Sequence, residues 1–207
     1  MLDMAGRPRS FDRDAALAAA VEQFWRTGYE ETSVAVLTSA MGVTPPSLYA
    51  AFGDKSRLFE EASALYFRRS IEAVDRAAAL PTAHEAIARM LDDTAHAHTD
   101  AATPPGCLML TEPRLEAQRE VLRQRLKNRL DQGVRNHDLA PTANTDHLAS
   151  FLVAVMRGMS GCARDGGTTQ DLLGIAATAM AALPAPLRAE HPGRPQRDDA
   201  GADGTFP

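Results

Sequence analysis

TSVAVLTSAMGVTPPSLYAAFGDKSRL, residues 32–58, reads as two short helices joined by a tight turn, with a third helix starting directly behind them. Thr32 or Ser33 is a good N-cap, and Val34, Leu37 and Met41 then recur at helical spacing. Gly42 supplies the turn, where a positive φ costs a glycine little. Thr44 caps the second helix and Pro45 takes its first position, where a missing N–H costs nothing. That helix is short, Pro46 to Ala51, and ends near Phe52-Gly53; Asp54 caps the next, with Lys55 right behind it. Two short helices about a glycine turn are the signature of a helix-turn-helix, whose second helix enters a major groove.

Working outward, Ala16, Leu17, Ala20, Val21, Phe24 and Trp25 form the apolar stripe of a helix over Asp12–Thr27, which Gly28 ends. Phe24 and Trp25 read as core. With Val34, Leu37, Met41, Val43, Leu48 and Phe52 they complete a small three-helix core, and the residues left outside are the candidates for DNA. Thr32 and Ser33 sit at a helix N-terminus, where hydroxyls and free N–H groups suit a phosphate. Thr44, Pro45, Pro46 and Ser47 lie at the front of the reading helix and would meet base edges through hydroxyl and methyl contacts. No Arg, Asn or Gln precedes Phe52 in that helix, so specificity must come from those contacts and from DNA shape. Upstream, Gly6-Arg7-Pro8-Arg9 is a basic, extended element within a flexible arm at 1–10, and Arg7 and Arg9 are suited to a narrow minor groove.

The whole chain has 207 residues, 44% hydrophobic and 24% charged, the profile of a soluble globular protein of one or two small domains. No apolar run approaches a spanning helix and no signal peptide opens the sequence, which predicts a cytoplasmic protein. Cys107 and Cys162 form neither a disulfide framework nor a paired-cysteine zinc motif. Net charge is −5, and residues 1–60 carry 6 basic against 8 acidic side chains, so few phosphates would be neutralised and a shallow salt slope is expected. A Gly-rich phosphate loop, carboxylates paired at helical spacing and a Cys–His pairing are all missing, so neither an enzyme nor a cofactor is predicted.

The run from Gly6 to Phe59, GRPRSF and then AALAAAVEQFWRTGYEETSVAVLTSAMGVTPPSLYAAFGDKSRLF, resembles the DNA-binding domain of the TetR family of one-component transcriptional regulators. The shared phrases are Gly28-Tyr29-Glu30-Glu31-Thr32-Ser33, the run SLYAAFGDK and the aromatic first helix. The resemblance implies that Tyr49 donates to a phosphate and that Lys55, at the start of the fourth helix, binds another. It also implies an all-α protein of about nine helices. The expected plan is a flexible arm at 1–10, a helix-turn-helix DNA-binding domain at 11–54, a helical effector-binding and dimerisation domain at 55–183 and a disordered tail at 184–207.

The rest of the chain agrees with helices of the right length. Leu58, Phe59, Ala62, Leu65, Tyr66, Ile71 and Val74 mark the buried side of a long helix that Pro81 closes. A helix over Thr82–Thr99 carries His84, His96 and His98, without a metal-ligand spacing, as surface or pocket-lining residues. After Pro104-Pro105-Gly106 comes Cys107, near a helix N-terminus where the dipole lowers a thiol pKa. It is either a redox- or electrophile-sensing thiol or a small buried hydrophobe. Glu112 to Asn136 reads as a solvated basic face with ion pairs between Glu116, Glu120 and Arg119, Arg123. Two apolar helices follow, from Asp146 and from Thr168 or Thr169.

The function implied is a homodimeric regulator, most often a repressor in this family, on a near-palindromic DNA operator. A small-molecule effector would enter among helices four to eight, for which Phe67, Met90, Cys107, Met109, Phe151 and Met156 are the candidate lining. The late helices match the family's dimer interface, with Leu148, Leu152, Val155, Met159, Leu172, Ile175 and Met180 as candidate contacts. Alternatives are a thiol-based sensor acting through Cys107, or an all-α small-molecule-binding protein or enzyme.

Overall fold

The computed structural model describes residues 11–184. The arm at 1–10, with Arg7 and Arg9, and the tail expected after Pro184 lie outside the described residues. Within them the chain is all α-helical: α1 Arg13–Glu31, α2 Val34–Met41, α3 Pro45–Phe52, α4 Lys55–Ala78, α5 Ala83–His98, α6 Leu108–Thr111, α7 Glu116–Arg135, α8 Thr145–Arg164 and α9 Thr169–Ala181. No helix among the described residues is long and apolar enough to cross a membrane.

The local signals act where the sequence carries them. Ser33, Thr44, Asp54 and Thr82 each accept a first-turn N–H at the head of α2, α3, α4 and α5. Gly42 adopts the left-handed conformation that ends α2, with φ 65° and ψ 30°. Regular geometry in α1 breaks at Gly28 (φ 77°, ψ 177°), and Tyr29–Glu31 make one more turn beyond it. This break shapes the joint described below.

Phe24, Leu37 and Leu48 form the fully buried centre of the α1–α3 head, and Leu58, Phe59 and Ala62 of α4 join it. Phe59 meets Phe24 edge-on at 5.0 Å, so the head's packing continues past residue 54. Ile87 and Leu91 of α5, Leu122, Leu126 and Leu130 of α7, Leu152 and Met159 of α8 and Leu172 of α9 fill the body. At about 25 cal/mol per Å² of apolar surface removed from water, burying each such side chain is worth roughly 1.5–3 kcal/mol.

Helix α7 departs from the solvated basic face expected of it. Arg129 is only 4% exposed, and its Nη2 donates to the carbonyls of Leu80 and Pro81 at 3.1 and 3.2 Å. A guanidinium there satisfies acceptors left over just past the end of α4. Arg119 likewise donates to the carbonyls of Met109, Glu112 and Pro113 rather than pairing with Glu116. Arg123 does pair with Glu120, at 2.7 Å, and also reaches Asp146.

Candidate functional site

The reading face comes first. In α3, Leu48 and Phe52 point into the core, which leaves Thr44, Pro45 and Pro46 exposed at the helix front and Ser47 half-buried. Thr44 Oγ1 and Ser47 Oγ are 2.9 Å apart, and Thr44 Oγ1 also accepts the Ser47 N–H. Hydroxyls held this way present a defined polar edge on a short helix otherwise armed with proline methylenes. Tyr49 is 50% exposed. Lys55, at the first position of α4, holds its ammonium 4.2 Å from the centroid of the Tyr29 ring. There it adds a full positive charge to the positive end of a helix dipole.

Thr32 does not share this face. It is fully buried: its hydroxyl donates to the Gly28 carbonyl and lies 2.7 Å from Thr27 Oγ1. The expectation of a phosphate-binding Thr32 is therefore corrected, because its hydrogen-bonding capacity closes the kink in α1. Ser33 is the exposed N-cap of the pair, and its Oγ accepts the Val36 N–H.

Behind the reading face lies a joint that sequence reasoning missed. Glu112 is 6% exposed, and its carboxylate accepts the Tyr29 N–H at 2.8 Å and the Arg114 N–H at 3.1 Å. The Gly28 break frees the Tyr29 N–H from the helix ladder, and a carboxylate from a segment 83 residues away takes it up. The Tyr29 ring packs at 5.0 Å on Phe59 and receives Arg114 at 3.7 Å in addition to Lys55. Arg114 also pairs with Glu30 at 3.1 Å. The one sequence hint was a glutamate directly before Pro113.

Between α1, α4, α5, α6, α7 and α8 lies a cavity of about 140 Å³. Of the residues expected to line it, Met90, Cys107, Met109 and Met156 do so; Phe67 and Phe151 do not. Phe67 is half-buried elsewhere on α4, and Phe151 is 39% exposed on the outer side of α8. Trp25, Tyr66, Ser70, Thr94 and His98 line the cavity as well. The sequence places Trp25 beside Phe24 as core. Successive helical side chains diverge by about 100°, so the two neighbouring aromatics cannot share one face. Phe24 takes the core, while Trp25 packs edge-on against Tyr66 at 5.0 Å.

Burial favours the neutral form of three groups on the cavity wall, Tyr66, Cys107 and His98. Tyr66 donates its hydroxyl proton to Cys107 Sγ at 3.1 Å. Burial pushes the Cys107 thiol up, outweighing the Tyr66 hydrogen bond and the neighbouring N–H groups that pull the other way. This corrects the expectation of a thiolate favoured by a helix N-terminus: α6 is a single turn and desolvation wins. Burial likewise raises Tyr66. Burial first, and the Arg164 charge second, depress His98 from 6.5 to about 4.

On the expected dimer face, Leu152, Met159 and Leu172 are fully buried within the protomer. They are core, because the inner stripes of α8 and α9 cover one another and α5. Leu148, Val155, Ile175 and Met180 remain half-buried, and Phe151, Val155, Ile175 and Gly174 border one shallow apolar groove. A Cβ added at Gly158, Gly161 or Gly174 meets nothing within 4 Å, so packing within the protomer does not require glycine there.

Comparison with known proteins agrees with this geometry. Residues 16–62 match the family described as bacterial regulatory proteins, tetR family. Over 199 residues the chain is 34% identical to the HTH-type transcriptional repressor ComR of Escherichia coli, covering 86% of this chain and 92% of the relative. With the repressor BdcR of Escherichia coli it shares 30% over 192 residues, at the same coverages. A cysteine-substituted form of the TetR family transcriptional regulator CifR, complexed with 26-base-pair double-strand operator DNA, matches with a TM-score of 0.82 and 37% identity. That match spans 86% of this chain and all of CifR's.

Proposed function

The chain belongs to the tetR family of bacterial regulatory proteins and is a DNA-binding transcriptional regulator, and from that premise we propose that it works as a dimeric repressor released from its operator by a small molecule in the cavity. The observation that carries this reading is that the reading head itself forms part of the cavity wall, through Trp25 of α1. Arg164 of α8 also donates to the Trp25 carbonyl at 2.7 Å, so α1 is tied to the body on the cavity side. A molecule that fits only when α1 has shifted draws the population away from the DNA-binding form by its differential affinity.

On the DNA side the roles follow exposure and chemistry. Thr44, Pro45, Pro46 and Ser47 meet base edges, and Ser33, Tyr49 and Lys55 meet phosphates. Two heads are brought to one duplex by pairing of the α8 and α9 faces around Phe151, Val155 and Ile175. The helix-interior glycines at 158, 161 and 174 support that pairing: each costs roughly 0.5–1 kcal/mol against alanine, and close approach of a second helix pair is what such a cost permits. Equivalent contacts then lie about one helical turn of DNA apart, ~34 Å, on a near-palindromic operator. This reading calls for a cytoplasmic protein, and the lack of a membrane-spanning helix among the described residues is compatible with it.

The thiol-sensing alternative has one observation behind it, the position of Cys107 on the cavity wall within reach of Tyr66. Its protonated, buried state sets it against spontaneous ionisation. An unchanged response to oxidants and electrophiles in Cys107→Ser removes that alternative. The proposal as a whole is tested by selecting random duplex DNA with the purified protein at two salt concentrations. Enrichment of an inverted repeat is expected, and enrichment of no sequence at either salt overturns it.

A further inference from the structure

We propose that the cavity is entered through the seam between α4 and α5, beside Ala73 and Ala97, and takes an elongated amphipathic molecule. Its apolar end, of about one six-membered ring, sits in the cavity, and its polar end stays in the cleft outside the seam. The inference rests on reading this cavity as the effector site and names the way in and the class of ligand.

The way in is marked by shared walls. A surface cleft of about 770 Å³ is bordered by α4, α5 and the start of α9. Ala73 of α4 and Asp93 and Ala97 of α5 line this cleft and the inner cavity alike. The groove on α8 and α9 and the pocket at the Gly28 joint share no residue with the cavity. Among the described residues of the cavity wall only Ala97 is exposed, and Ala73, on the α4 side, is half-buried. Each alanine carries a single methyl group, so little side chain stands between the cavity and the cleft at this point. Much of the remaining wall is closed by Val74, Met90, Met109, Leu110, Leu122 and Met156, all buried.

Size and orientation follow from the two spaces. At about 140 Å³ the inner one is close to an apolar protein cavity of ~150 Å³ that takes up benzene, so a longer molecule must project through the seam. Its hydrocarbon and thioether wall favours an apolar group. The three hydroxyls there already donate their protons: Tyr66 to Cys107 Sγ at 3.1 Å, Ser70 to the Tyr66 carbonyl at 3.1 Å and Thr94 to the Met90 carbonyl at 2.7 Å. A polar end buried inside would give up its hydration for little in return. Outside the seam it keeps that hydration, and Arg89, paired with Asp93 at 2.7 Å, His96, Thr99 and Asp100 offer it both donors and acceptors.

The test uses benzyl alcohol and phenylhexanol, the latter with ring and hydroxyl at opposite ends of its chain, on the full-length protein. Binding is read from the fluorescence of Trp25, the single tryptophan of the chain, which lies on the cavity wall. The two alcohols are expected to compete, with the longer at least about 10-fold tighter, the value of roughly two further methylenes removed from water. A closed cavity of this size would exclude it. Ala97→Leu and Ala73→Leu each place a larger side chain in the seam, outside the buried core and with a good helix former. Either is expected to bring the longer alcohol to within about 2-fold of the shorter, whose own affinity changes by less than about 2-fold. Ala64→Leu, at an exposed position of α4 that lines neither space, is expected to change neither alcohol. Weaker binding of the longer alcohol by the parent protein, or binding of neither, overturns the proposal without any variant. Equal losses for both alcohols in the seam variants, or no loss for either, overturns it as well. Operator affinity with phenylhexanol bound is measured separately. Binding through the seam that leaves DNA affinity unchanged keeps the route and the ligand class and refutes the effector reading alone.

Discussion

Replacing Glu112 by alanine tests the joint between head and body. The carboxylate is buried and accepts two backbone N–H groups, from Tyr29 at 2.8 Å and from Arg114 at 3.1 Å. Arg114 is exposed, so its N–H turns to water once the carboxylate has gone. Tyr29 is half-buried behind the Gly28 break, and its N–H has no helical acceptor to return to. Leaving such a donor unmade costs about 1–3 kcal/mol, and the lost bond to a charged acceptor places the total in the upper part of that range, roughly 2–3 kcal/mol. For a chain of this size 1 kcal/mol moves the melting temperature by about 2–4 °C, so a fall of about 4–12 °C is expected by calorimetry. Glu112→Gln keeps an acceptor in place and is expected to lose roughly half as much. Because the Tyr29 ring holds Lys55 and Arg114, operator affinity measured at a temperature where both proteins are folded is expected to fall as well. A Glu112→Ala protein that melts within about 1 °C of the parent refutes the assignment of Glu112 as the acceptor for Tyr29. Loss of stability with intact DNA affinity keeps the hydrogen bond and refutes its link to the reading face.

Three further expectations follow from the same geometry. His98 titrates at about 4 in the folded protein against 6.5 when free, so the unfolded chain takes up the proton first. Stability on its account is complete above pH 6.5 and falls as pH drops towards 4, by about 3 kcal/mol in total. Denaturation midpoints measured across that window are expected to flatten in His98→Gln, and an unchanged slope contradicts the assignment. Tyr49→Ala and Lys55→Ala are expected to weaken binding to all DNA sequences alike, with Lys55→Ala reducing the salt slope by about 1, whereas Ser47→Ala relaxes preference at one base position. Loss of preference in the Lys55 variant, read by competition between operator and scrambled duplex, inverts that division. Phe151→Asp, on the outer side of α8, is expected to yield monomers by sedimentation without lowering the monomer's helix content; an unchanged oligomeric state places the interface elsewhere.

The order of the helices and the identity of the reading head are local matters, and the sequence alone determined them. Ser33, Thr44, Asp54 and Thr82 cap helices because a short polar side chain meets the N–H groups of its own first turn, which needs nothing from the rest of the chain. Gly42 ends α2 for an equally local reason, a backbone conformation that costs it little. Leu37, Leu48 and Phe52 turned inward as their spacing foretold, which left the front of α3 outside. Tertiary structure decided everything that depends on a partner distant in sequence. Thr32 became a core residue because the Gly28 carbonyl and Thr27 came within reach of its hydroxyl. Leu152, Met159 and Leu172 carry the same apolar stripe as a dimer face, and only packing showed that α8 and α9 use it on each other and on α5. Arg129 reads as one more solvated cation until the carbonyls of Leu80 and Pro81 are seen beside it. Glu112 is one acid among many until the break at Gly28 leaves it a donor to hold. Cys107 shows the limit most plainly: its place at a helix start favours ionisation, and burial, which no local pattern encodes, reverses the sign.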